Sequence, residues 1–359
     1  MGVPACHLVS RPGVVSVAGS VTVVIAGASR SQRAVGTTIA GRVSDRCQSG
    51  GRLAVHATAG RTSVLRVTAR ASSLPCADAG RAGSRSDRGT HRGGLDAVEA
   101  LLVDLPDDPV ARHGYEVLGD LHIYRGSFDA SVECFRQAER LAHRADDRFT
   151  VLHSRMSQAM ALGYGGQVDE ALALLAQVRV DASDARIGVA SAWCDFTEAE
   201  LVAETVPQRA LELVDRSVEE ADRSGWRMLA DVGRLTASSL RARTADPVDA
   251  IPGFERLIRH WSRHGDDTHQ WTTLRNLVDL FIRLEAYAPA ARLLGAVSVA
   301  PRPTFGAEEQ RLTAARTAVL HHLAAEGQAL ILAGTRDDLP TAVEFALSSL
   351  GDLRRVPRA

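Results

Sequence analysis

The amino-acid sequence predicts an all-α, right-handed helix-hairpin solenoid with a period of about 40 residues, preceded by a disordered N-terminal tail. Three observations carry this expectation. Small residues recur as Ser131, Ala171, Ala210, Ala250 and Ala290, at intervals of 40, 39, 40 and 40. Four residues after each stands a larger apolar one: Phe135, Leu175, Val214, Phe254 and Leu294. Glycines keep the same step, Gly126 with Gly166 and Gly225 with Gly265. A small residue lets two helices approach, and a larger one a turn later fills the groove beside it. A single hairpin cannot bury both of its apolar faces, so it stacks on others of its kind.

Residues 1–94 form the tail, 95–300 the repeats and 301–359 the C-terminal capping helices. The tail holds 13 arginines against three acids, Asp45, Asp78 and Asp87, and leaves 29 basic and 40 acidic residues to the body. It has almost no large apolar residue, so it has too little to bury to offset its ordering entropy. A secretory leader is one reading, with Arg11, the stretch Val14 to Ile25 and then Ala26-Gly27-Ala28, although Ser16, Gly19, Ser20 and Thr22 break the apolar run. A stretch outside the native coding sequence is another. Nucleic-acid binding is not expected, because the arginines are spread thinly and no aromatic residue lies among them. No run of about 20 apolar residues is present, so no membrane span is expected.

The body begins with a short helix over Leu95 to Leu105, stopped by Pro106 and Pro109. The first hairpin is Val110 to Tyr124 with Phe128 to Arg144, and the second Phe149 to Tyr164 with Val168 to Val178. The third is Ile187 to Glu204 with Pro207 to Arg223, and the fourth Trp226 to Arg243 with Pro247 to His264. Pro207 and Pro247 suit the first helical turn, and Asp246 reads as an N-cap. The fifth spans Asp266 to Ala296, where Trp271, Leu274, Leu277, Val278, Phe281 and Ile282 recur at spacings of three and four. Beyond Pro301 and Pro303 the period fades into helices over Phe305 to Leu323 and Pro340 to Leu350.

Composition excludes several chemistries. All 42 basic residues are arginine, so a phosphate-loop lysine, a kinase strand lysine and a Schiff base have no residue to supply them. The five cysteines, Cys6, Cys47, Cys76, Cys134 and Cys194, include no C-x-x-C pair and point to a reducing, cytoplasmic setting. His260, His264 and His269, with Asp266 and Asp267 between, form the one metal-like cluster, and His260 and His264 have i, i+4 ligand spacing. The HWSRH stretch lacks the glutamate of a zinc-protease helix, and a cation in the last turn before Gly265 also offsets unpaired carbonyls. Trp193, Trp226, Trp261 and Trp271 read as packing between repeats or as the lining of a groove.

Tyr115, Leu118, Gly119, Gly126, Phe128, Phe135 and Ala138 together resemble a tetratricopeptide repeat, with Ser131 and His122 in place of the usual alanine and tyrosine. Over residues 110–323, and most specifically in QWTTLRNL followed by LLGA and in PTFGAEEQRL, the chain is similar to the C-terminal region of large actinobacterial regulators. Those proteins join a switch ATPase to a LuxR-type helix-turn-helix, an activator domain or a nucleotide cyclase. The resemblance implies a sensor and interaction platform, here without the ATPase. The function expected is therefore non-enzymatic binding, without cofactor, of a protein or peptide on the concave surface, or of a small ligand. The alternative is a small-molecule sensor that acts in transcription through a partner ATPase or DNA-binding protein. A third reading is a metal-dependent enzyme at His260, His264 and His269. Candidate contacts are Gln270, Thr273, Arg275 and Asn276.

Overall fold

The computed structural model describes three short strands, residues 99 and 102, and residues 111–185 and 187–355. It divides into two units, Met1–Ala77 and Asp78–Ala359. In the first, β1 (Ser16–Val17), β2 (Ser20–Gly27) and β3 (Ser63–Thr68) pair antiparallel in the order β1-β2-β3, with Ile25 opposite Leu65. The strands form where Val21 to Ile25 and Val64 to Thr68 concentrate β-branched side chains, which suit a pleated backbone. β1 and β2 overlap the stretch read as a leader. The remainder of the expected tail lies outside the described residues.

The second unit is a run of helix hairpins. They are α1 (Ala111–Arg125) with α2 (Phe128–Arg144), α3 (Arg148–Tyr164) with α4 (Val168–Ala185), and α5 (Gly188–Val202) with α6 (Pro207–Ser224). Then come α7 (Arg227–Thr244) with α8 (Pro247–His264) and α9 (Asp267–Arg283) with α10 (Tyr287–Ser298). α11 (Gly306–Gly334) and α12 (Leu339–Arg355) end it. All ten small and large repeat residues are buried, from Ser131 and Phe135 to Ala290 and Leu294. The core is accordingly segmented. One cluster joins α2 to α5, a second α5 to α7, and a third runs from the end of α7 to α12. On the first helix, Gly119 leaves room for the Phe135 ring, which a Cβ there would meet at 2.6 Å, and Ser131 donates to the Gly119 carbonyl at 2.8 Å. Leu102 covers the open end of this hairpin, against Gly114.

Local chemistry sets the boundaries. Asp147, Asp246 and Asp266 cap α3, α8 and α9 by accepting from the amides of Thr150, Val248 and His269. Gly126 and Gly166 close hairpins, Gly225 and Gly265 separate them, and all four hold positive φ, between 65° and 91°. The equivalent of Gly166 in the fifth hairpin is Glu285, held at φ 55° and exposed. A side chain costs about 1–2 kcal/mol in that region. Glu285→Gly will therefore stabilise the unit by about 0.5–1 kcal/mol net of the entropy glycine adds to the unfolded chain, measured as a shift in denaturation midpoint. An unchanged or lower midpoint would refute this.

Two elements depart from the sequence expectation. α4 runs on to Ala185 because Ala182 continues the buried series Ala171, Leu175, Val178, past polar residues that read as a loop. α11 breaks at Ala324 (φ 46°, ψ −121°), one residue past the expected end, and continues as a second arm to Gly334. The arms meet where a Cβ on Gly327 would touch Val319 at 3.1 Å.

Candidate functional site

Successive first helices, α1, α3, α5, α7 and α9, stand side by side and are tied by polar contacts between residues nearly one repeat apart. His153 Nδ1 donates to Glu116 at 2.8 Å, Tyr164 to Glu200 at 3.0 Å, and Thr236 to the other Glu200 oxygen at 2.6 Å. Ser239 donates to Asn276 at 3.0 Å, and Arg243 to Glu204 at 2.7 Å. These pairs lie 37, 36, 36, 37 and 39 residues apart. The repeat therefore writes a polar ladder on this shared face as well as an apolar one in the core.

At one edge of the face the ladder gives way to aromatic rings. Phe149 stacks on His153 (6.3 Å between centroids), His153 lies 5.8 Å from Trp193, and Trp193 stacks on Trp226 at 5.4 Å. Phe149 is exposed, and Trp193 and Trp226 are half-buried. Carboxylates border the row. Burial works to raise the Glu116 carboxyl, but hydrogen bonds from His113 and His153, with their charge, hold it at about 2. Asp120 lies a turn further along α1, solvent-exposed and within electrostatic reach of His153 and Glu116. Burial works to lower the His153 pKa, and the Glu116 bond and the two carboxylates outweigh it.

The sign of the pH dependence follows. A carboxylate whose folded pKa is depressed contributes stability that is complete above its unfolded value, here about 4.5, and is lost as pH falls toward 2. The effect is on the order of 3 kcal/mol. Glu116→Gln will flatten the stability profile over that window, measured by denaturation at a series of pH values. A variant whose acid limb matched the wild type would disprove the assignment.

The other end of the face is crossed by the chain itself. Phe305, in the link from α10 to α11, packs edge-on against Phe128 at 5.0 Å and lies 5.9 Å from Tyr164. Arg302 holds Glu308 at 3.0 Å, and Arg311 pairs with Glu204. The link thus joins the fifth hairpin to the first and second.

The candidate residues fall differently from the expectation. Gln270, Thr273 and Arg275 are buried, and only Asn276, bonded to Ser239, lies on the shared face half-open. Thr273 donates to its own helix at the His269 carbonyl. Arg275 donates to the Arg302 carbonyl beneath the crossing link and lies 3.7 Å from Glu308, while burial lowers its pKa to about 10. Gln270 borders a cleft among α6, α7, α8 and α12. Thr273 and Arg275 therefore pack the site's foundation, since their side of α9 is covered by neighbouring elements.

The three histidines do not gather around one point, although the His260 and His264 rings lie 4.3 Å apart. His260 points to Asp231 (3.1 Å), His264 donates to the His260 carbonyl (2.8 Å), and His269 donates to Asp266 (2.8 Å) while stacked on Trp261. Among the described residues no group of three or more His, Cys, Asp or Glu is placed to hold a metal. Burial pushes the Cys134 and Cys194 thiols up to about 11 and 12, values of packed side chains and not of nucleophiles. Trp261 and Trp271 are buried between repeats. Glu116, Asp120, Phe149 and His153 had no sequence motif. A search for polar pairs at the repeat spacing would have found Glu116 with His153.

No family model matches the chain, and no curated protein matches it. Among solved structures, BtubC (BKLC) from P. vanneervenii is 16% identical, with 63% of this chain and 97% of that one covered and a TM-score of 0.41. The apo form of RapI is 12% identical, with 75% and 94% covered and a TM-score of 0.39. Neither likeness assigns a function. Among the described residues, no helix is long and apolar enough to cross a membrane.

Proposed function

We propose that the helical unit is a non-catalytic binding module that holds a peptide segment of a partner protein on the face shared by α1, α3, α5 and α7. The observation that carries this reading is the aromatic row of Phe149, His153, Trp193 and Trp226, exposed at Phe149, half-buried along the rest and ending beside Asp120. Aromatic side chains offer large contact area at low entropic cost and concentrate binding energy at interfaces. Rings beside a carboxylate favour a segment that carries an arginine or lysine next to apolar residues. The resemblance of QWTTLRNL and LLGA to regulator sensor regions supports a narrower role in transcription control, with a partner supplying the ATPase and helix-turn-helix.

The test is selection of displayed peptides on the full chain, followed by titration of the enriched sequences. Cationic, apolar peptides are expected, with binding weakened about tenfold or more by Phe149→Ser and by Asp120→Asn, both at exposed positions. Equal binding to wild type and both variants would overturn the reading.

A further inference from the structure

α6, α7, α8, the start of α9 and α12 border a cleft of about 1320 Å³, separate from the aromatic row. Its most distinctive feature is on α8. Arg256, Arg259 and Arg263 are exposed at spacings of three and four, which set them along one side of the helix. Elsewhere in the cleft arginine is matched by acid: Arg241 holds Asp215, and Arg234 holds Asp231 and Asp222. Among the described residues no carboxylate pairs with Arg256, Arg259 or Arg263, and Arg263 donates only to the Arg259 carbonyl.

The rest of the lining narrows the occupant. Half-buried Leu339, Val343 and Leu347 on α12 make an apolar wall, continued by Leu257 and Trp261. Of the acids, Asp215 and Asp231 are neutralised, Asp267 sits in the first turn of α9 where the helix dipole favours it, and Glu344 is exposed on α12. The surplus is cationic and backed by hydrocarbon. A nucleic-acid strand would meet the arginines but waste the apolar wall and face Glu344. A peptide can alternate carboxylates with apolar side chains.

We propose that this cleft is a docking site for an acidic, leucine-bearing peptide segment of a partner protein. Its carboxylates bind Arg256, Arg259 and Arg263, and its apolar side chains lie on α12. Seven helical residues rise on the order of 10 Å, the reach of about three residues of extended chain, so a short run of adjacent acids interrupted by leucine matches the stripe.

The test titrates the full chain at low salt with a fluorescein-labelled twelve-residue peptide of glutamate with leucine at every third position. Its glutamine counterpart and a labelled oligodeoxythymidylate are the competing probes. Binding of the acidic peptide is expected, weakened about tenfold or more by the combined Arg256→Ser, Arg259→Ser and Arg263→Ser variant and strengthened by Glu344→Arg. All four substitutions are at exposed positions, and circular dichroism checks the fold. Three outcomes would each overturn the proposal: the glutamine peptide binding as well, the oligonucleotide binding more tightly, or the triple variant binding like wild type.

Discussion

Gly295→Ala will destabilise the helical unit by roughly 3 kcal/mol, although glycine to alanine within a helix ordinarily gains about 1 kcal/mol. Gly295 is the glycine of the LLGA stretch, buried on α10 where the second arm of α11 crosses it. A Cβ there would fall within the radius of the Ile331 carbonyl oxygen and lie 2.9 Å from Gly334 Cα. The relation is reciprocal, since a Cβ on Gly334 would strike the Arg292 carbonyl and sit 3.1 Å from the Ala296 nitrogen. Backbone meets backbone on both sides, so no side chain is free to swing away, and relief requires the helices to part. Gly334→Ala will cost a similar amount, and the double variant will cost less than the sum because one separation relieves both clashes. Chemical denaturation followed by circular dichroism decides the matter, and a stabilised Gly295→Ala protein would show that the two helices do not cross there.

Phe254→Ala will cost about 3–5 kcal/mol, the range for deleting a fully buried aromatic side chain. Phe254 is 0% exposed and belongs to the cluster that joins the end of α7 to α8 through α12. Because each hairpin touches chiefly its neighbours, stability is close to a sum of adjacent interfaces. The loss will therefore fall on the C-terminal hairpins and will separate a previously single unfolding transition into two, with the hairpins from α1 to α6 melting at the higher denaturant concentration. Met228→Ala, at a 44% exposed position, will stay within about 0.5 kcal/mol of wild type. Comparable effects at the two positions would contradict the segmented core.

Much of this architecture was legible in the chain because it is local. Pro207, Pro247 and Asp246 mark helix starts through the missing donor of proline and the acceptor of an N-cap. Gly126, Gly166, Gly225 and Gly265 mark turns through positive φ. The step from Ala250 to Phe254 marks a buried crossing in whichever hairpin it occurs. The candidate site was read less well. Thr273 and Arg275 are polar and stand on the right helix, but whether a position faces solvent depends on what lies over it, and Arg275 lies beneath the Arg302 carbonyl. Trp193 and Trp261 look alike in sequence, yet the first is half-buried beside Trp226 and the second is 3% exposed.

The sequence by itself determined the helices, their pairing into hairpins, the turn glycines and the small-to-large packing period, since each follows from spacings within one repeat. Tertiary structure alone decided that residues 302–311 cross the shared face, where Phe305 meets Phe128 and Arg311 meets Glu204 across 107 residues. It also decided that Gly295 abuts Gly334, that α11 breaks at Ala324, and that, among the described residues, Arg256, Arg259 and Arg263 have no carboxylate partner of the kind their neighbours have. These features depend on how five stacked hairpins bring distant segments together. A period of about 40 residues specifies contact between neighbours and carries no information about contacts several repeats apart.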